Sequence, residues 1–470
     1  MGLTRKELVA RAGAGALGAA GIYGLVDRIA PAAARAAVHG PLPPEQHLLQ
    51  DVPVVHDNGV EVLVPPRHHQ LVTLRLKTGT SRKQLAEARA TLEHTLASLD
   101  SQHAPTPSGL GITVGWGLPY FRRYVSKPAA TYLPVDVRAS KAKGRKIDVL
   151  LDAVRFPSDP SGTILEQNDA VLLLRSDSLA TIQGASQRLV RDLGFWQPVS
   201  IRRGFVGGGF GGGTGLPKKM AMAAGVAGAE FIPASSELFL GFTSTQKANL
   251  GPARIANLET LGYSDGGRHG YFRQGTHMHV SHIFEDLLQW YALFSHSERV
   301  ATVFRPTTRV PSGTLTVPQG PKDVATTQDN LRDYRRYHAI GHSASIQSTS
   351  RLLADVHGRD GTLYPKGTAV PQRADFNTLD NPFFWSAHPD VDGMTAGAAA
   401  GVHFVVFNPT SDDFHRNRMA MDGVMPDGTK VPLSPNSRGQ GINAVLKTTH
   451  RQNFLVPPRR HRSFPLVEFL

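Results

Sequence analysis

Two stretches of this chain repeat one alternation of strand-like and helix-like periodicity, and that duplication narrows its folds more than any other feature. Gln70-Leu71-Val72-Thr73-Leu74-Arg75-Leu76 mixes apolar and polar residues as a strand does. Ser81 and Gln84 supply a capping pair, and Leu85, Ala88, Leu92, Leu96 and Leu99 then recur every three or four residues, which predicts an amphipathic helix. Gly111 to Gly117 predicts a second strand and Asp169 to Arg175 a third. Leu179, Ile182, Ser186, Leu189 and Leu193, capped by Ser178, predict another helix, and Val199-Ser200-Ile201 a last strand ending near Gly204. Strand–helix–strand written twice is the split β-α-β, or ferredoxin-like, plan.

The second half echoes it. His277 to Val280 reads as a strand, followed by a helix carrying Ile283, Leu287, Tyr291 and Phe294. Ile340 to Ile346 reads as a short strand, Val402 to Phe407 as a strong one, Ser411 and Phe414 as the opening of a helix, and Asn453 to Val456 as the closing strand. The expected fold is therefore α+β: two ferredoxin-like domains with antiparallel sheets, over 68–260 and 261–470. Before them come an export signal over 1–36 and a Pro-rich extended arm over 37–67. The Lys- and Pro-rich stretch 126–165 reads as a surface insertion.

Composition excludes several chemistries. With no cysteine there is no disulfide, thiolate ligand or cysteine nucleophile. The net charge of +13 is spread over short pairs such as Arg122-Arg123 and Arg335-Arg336, so nucleic acid is not an expected partner. At the amino terminus Thr4-Arg5-Lys6-Glu7-Leu8 precedes a mild Gly/Ala-rich stretch, and Ala32 to Ala36 offers small-residue cleavage sites. This reads as a twin-arginine-like leader with Lys6 for the second arginine. Export to the envelope or beyond through the twin-arginine machinery follows; the alternative is an uncleaved anchoring helix.

Gly207-x-Gly209-x-x-Gly212 satisfies a dinucleotide fingerprint by letters alone, but no acid follows at the required distance. The run reads instead as a loop, or as backbone lying close to a cofactor edge. His277 and His279 share a strand face with His282 nearby; solvent-facing polarity is the default reading and a metal cluster the alternative. No Gly-x-Ser-x-Gly elbow leads a helix, so a Ser-His-Asp hydrolase is not expected. What remains is Gly262-Tyr263-Ser264-Asp265-Gly266, an acid on a tight turn, with Gly341-His342-Ser343 and Pro371-Gln372-Arg373 downstream. An acid to move a proton, an imidazole to hold iron and a guanidinium to stabilise negative charge are the parts peroxide cleavage needs.

From about residue 68 onward the chain resembles the dye-decolorising haem peroxidases, whose two ferredoxin-like domains pack as a dimeric α+β barrel. The resemblance rests on Gly262 to Gly266, on Glu285 to Trp290 through Glu298-Arg299-Val300, on Gly341 to Ser345, on Pro371 to Arg373, and on Val402 to Pro409 and Asn453 to Pro458. It implies haem b with His342 as the axial metal ligand, Asp265 as proton-transfer acid and Arg373 as charge stabiliser. Hydrogen peroxide and a small aromatic reductant are the implied substrates, with relays at Trp290, Tyr291 or Trp385 and a homo-oligomeric state. The chain departs from the pattern in three ways. Gly267, Arg268 and His269 follow the Asp-Gly where the family has a Thr and an Asn-Pro, Leu352 to Thr368 looks inserted, and Asn443 stands where an acid would back the proximal imidazole. Two other expectations stay open: a non-catalytic protein that binds haem or another ligand on the same fold, and a basic protein that binds anionic envelope polymers.

Overall fold

The computed structural model describes residues 21–29, 40–57, 60–209, 213–243, 255–317, 324–385, 397–433 and 438–470. Eight of its strands close into one barrel. The first half supplies β1 (His68–Leu76), β2 (Gly111–Trp116), β3 (Ala170–Ser176) and β4 (Trp196–Phe205). The second supplies β5 (Thr276–Glu285), β6 (Phe376–Thr378), β7 (Gly401–Asn408) and β8 (Leu446–Val456). The first half is ordered β4-β1-β3-β2 and the second β8-β5-β7-β6, antiparallel throughout. Each is the ferredoxin-like order, with the fourth strand beside the first and the second at the far edge. The halves then join edge to edge, β2 to β8 through Trp116 and Leu455, and β4 to β6 through Phe205 and Asn377. Closure hides the four edges that two separate sheets would expose.

Because strand side chains alternate, each strand serves two cores. Leu71, Val171, Leu173, Met278, Val280, Phe376, Val405 and Phe454 fill the barrel. Val72, Leu74, Ile112, Val114, Trp116, Leu172 and Leu174 point outward beneath α1 (Arg82–Gln102). All five apolar positions that predicted this helix are buried. With both faces covered, Ala170 to Leu174 can be one apolar run.

Three expectations need correction, and a fourth, the arm, gains an attachment. The segment 126–165 is no loose insertion: it forms helices Ser126–Tyr132 and Val137–Lys143 and buries Ile147, Val149 and Leu150. The arm over 37–67 is stitched into the barrel, since the Gln46 side chain accepts from Val114 N and donates to Val114 O and Pro457 O. Ile283 lies in β5, and the helix after it is confined to Leu287–Leu293, with Asp286 as N-cap. Finally, Ile340 to Ile346 opens a helix, α2 (His342–Ser350), and the second strand of this half is β6. Its Ser- and Thr-rich sequence hid the helix, because these side chains favour caps and turns. Here Ser345, Ser348 and Thr349 donate to carbonyls three residues back, which allows the helix to be buried.

Residues 21–29 are helical and seated on the β4–β6 seam, with Tyr23 and Val26 buried. Tyr23 Oη donates to Asp380 Oδ1 at 3.1 Å and accepts from Leu379 N at 3.0 Å. Among the described residues no helix is long and apolar enough to cross a membrane.

Candidate functional site

The outer face of the second sheet is hollow where that of the first is filled. Val402 and Phe404 of β7 and Glu285 at the end of β5 form the floor of a cavity of about 210 Å³. Its apolar walls include Leu240, Phe242, Phe304, Ile346 and Ile442. The polar groups that reach it are His342, Ser343, Arg373, Asp375, Asn377, Glu237 and Thr243, besides Glu285.

His342 begins α2 directly after Gly341, which has extended backbone geometry as the N-cap. A Cβ at Gly341 would lie 2.3 Å from Phe304 O and 2.6 Å from Arg305 Cα, so only glycine lets the helix start this close to the neighbouring chain. The contact also serves the helix end, because Ala344 N donates to Phe304 O at 3.0 Å. His342 is half-buried, and its Nδ1 is shielded from solvent with no hydrogen-bond partner among the described residues. Burial, then the nearby charges of Arg373 and Arg418, pull the imidazole down to about 4, so it is neutral at physiological pH. A neutral imidazole with an uncommitted nitrogen can serve as a metal ligand.

Arg373 arrives on the short strand Gln372–Arg373, paired with β7 opposite Val406. Ala374 and Phe376 point into the barrel, leaving Arg373 and Asp375 on the cavity side. Arg373 Nε lies 3.8 Å from Asp375 Oδ1. Glu285 is deeper, 7% exposed, and its Oε2 has no partner among the described residues. Burial, reinforced by the charge of Asp375, pushes its carboxyl up to about 8.

Asp265 does not line this cavity. It is exposed on the far side of its turn, where Oδ1 accepts from Val135 N at 2.9 Å and Gly267 N at 2.8 Å. Those bonds, the Asp136–Ser264 bridge and left-handed Gly266 and Gly267 identify a turn that clips the second half to residues 132–137. Asn443 is also turned elsewhere: its Nδ2 donates to Met421 O and to Asp422 Oδ1 at 3.1 Å, while the adjacent Ile442 faces the cavity. Thus His342 and Arg373 share one cavity wall system, and Asp265 and Asn443 stand apart from it.

The glycine-rich run, by contrast, reaches the cavity through Val206 and Gly207. Residues 210–212 lie outside the described residues.

The histidines of β5 are not solvent-facing: His277, His279 and His282 are all buried. His279 stacks on Phe414, with ring centroids 3.4 Å apart, and is satisfied by Asn453 and Ser281. His282 points into the barrel beside His403. No group of three His, Asp or Glu among the described residues is arranged to hold a metal ion. Trp290 is fully buried and donates from Nε1 to Leu240 O, which fixes one cavity wall.

A family model described as a family of unknown function, DUF7405, matches residues 66–458. The chain belongs to that family. No curated protein matches it. Among solved structures it is similar to DyPB from Rhodococcus jostii RHA1, at 12% identity over 86% of this chain and 96% of that one, with a TM-score of 0.48. A DyP-type peroxidase from Cellulomonas bogoriensis is 17% identical over 84% of this chain and 90% of its own, also with a TM-score of 0.48. The strand order and barrel closure described above, rather than these likenesses, establish the fold.

Proposed function

We propose that this DUF7405 protein binds haem in the cavity above β7 and acts there on peroxide. The observation that carries the reading is His342, a neutral imidazole with an uncommitted buried nitrogen, sharing an apolar-walled cavity with Arg373. The donor set suits haem b: His342 to hold the iron, Arg373 to meet negative charge, and aliphatic and aromatic walls for a flat apolar ring. Bound haem would supply the redox chemistry of O–O cleavage. Arg373 would bind and orient the peroxide oxygen, and its charge would favour the anionic form. Proton transfer would fall to a cavity carboxyl, because Asp265 is committed to its turn. The walls, including Phe304 and Ile346, would keep bulk water out. A small aromatic reductant would return the electrons.

Export is part of the proposal. The amino terminus would serve either as a cleaved twin-arginine-like leader or as an uncleaved anchoring helix, and Tyr23 and Val26 are buried against the barrel. Mass measurement of the exported chain decides it, since loss of residues 21–29 would refute retention.

Titrating hemin into the purified protein tests the central claim. A Soret band is expected to grow to one equivalent, to vanish in His342→Ala and to persist in Asp265→Asn. No band in the wild type, or an equal band in His342→Ala, would overturn it. One observation favours a second reading. A volume of about 210 Å³ falls below the roughly 300–1,000 Å³ of most ligand sites, so haem entry requires the cavity to widen. A smaller anion drawn by Arg373 needs no such movement. It predicts stabilisation by small carboxylates and no Soret band.

A further inference from the structure

We infer that Glu285 is the acid of this cavity, a proton-bearing carboxyl that donates from Oε2 to an oxygen atom of the ligand held near Arg373. The inference deepens the proposed function and rests on that reading of the cavity.

Geometry carries the argument. Glu285 is the last residue of β5, and its backbone N–H is tied to Ala400 O at 3.0 Å, so its side chain is delivered from a rigid strand end. It lines the same cavity as His342 and Arg373. It is buried, it forms no ion pair among the described residues, and Oε2 meets no donor. A carboxylate so placed would leave Oε2 with neither water nor a donor, whereas a carboxylic acid needs only one acceptor there. The ionisable groups around it do not rescue the anion. Asp375, in the same lining, repels it, and Tyr291, on the helix that follows β5, is itself held neutral by burial. Glu237 adds a further acid to the lining, and Arg373 lies nearer Asp375, at 3.8 Å, so its charge is partly spent there. His342 is neutral and brings no charge. Burial and Asp375 together lift the Glu285 carboxyl to about 8, so it keeps its proton at physiological pH. The other strongly raised buried carboxyl, Asp380, sits beside Tyr23 and Arg203 and rises only to about 6.

Infrared difference spectroscopy of the protein without added haem reads the proton directly. The carbonyl stretch of a protonated carboxyl should be present at pH 7, disappear with a midpoint near pH 8, and be missing in Glu285→Gln, which preserves shape. Asp375→Asn should lower that midpoint by removing the repelling charge. A pH 7 spectrum without the band, or a band that survives Glu285→Gln, would overturn the inference whether or not haem binds. With hemin bound, Glu285→Gln should keep the Soret band and slow peroxide consumption by about 10²–10⁴-fold, the usual worth of a positioned acid. Unchanged turnover would equally overturn it. Absence of any Soret band would refute the haem reading alone, leaving the spectroscopic result to stand by itself.

Discussion

The two ferredoxin-like halves share a strand order and differ in what covers them. Over the first sheet, α1 sets Leu85, Leu92, Leu96 and Leu99 against Val72, Leu74, Ile112 and Leu174, and the space is filled. Over the second, α2 keeps its polar N-terminus toward the sheet, and Val402 and Phe404 face a hollow. A filled face contributes stability, whereas a hollow one gives some up and gains a place for chemistry. One plan written twice has thus been divided between holding the barrel and working.

That division can be broken experimentally. The largest effect should come from Leu92→Ala, which empties a fully buried site and should cost about 2–5 kcal/mol in urea unfolding. Phe404→Ala, at the already hollow face, should cost less than half as much; equal costs would erase the distinction. Next comes pH. Glu285 is raised from 4.5 to about 8 in the fold, so the folded state holds more protons between those values. Its favourable contribution is complete below pH 4.5, declines as pH rises and is gone above about 8. Wild-type stability should therefore fall across that window by more than Glu285→Gln does, and parallel curves would contradict the assignment. Gly341→Ala should cost about 1–3 kcal/mol through overpacking against Phe304, and should weaken hemin binding more than it lowers Tm in proportion. Smallest is Tyr23→Phe, which loses the bonds to Asp380 and Leu379 and should cost about 0.5–1.5 kcal/mol. No change in Tm would mean that residues 21–29 contribute nothing at the seam.

Periodicity made the first half readable because its helices are amphipathic and its strands are bounded by glycine and cap residues. Leu85 to Leu99 is the clearest instance, since one apolar stripe meets one sheet. The second half resisted for an opposite reason. The helix His342–Ser350 is buried on most sides and pairs its hydroxyls internally, so it shows no stripe. β6 has only three residues and takes its place from β7 and β4 rather than from its own letters. At the site, His342 and Arg373 could be named only through the family resemblance, since either residue alone is more often structural, and the fold sets both on one cavity. Asp265 was an equally good letter in the wrong place: the bonds from Val135 and Gly267 that commit its carboxylate come from folding, and no local pattern announces them. Glu285 falls within the helix that periodicity predicts from Ile283 onward, and only burial beside Asp375 turns it into an acid of interest.

The barrel is shut by one residue pair on each side, Trp116 with Leu455 and Phe205 with Asn377, while neighbouring strands within each half are zipped along most of their length. In the ring these two joints lie opposite one another. Both joints are braced from outside: Gln46 bonds Val114 and Pro457 across one, and Tyr23 touches Phe205 and Thr378 across the other, so the halves depend on what is laid over their seams.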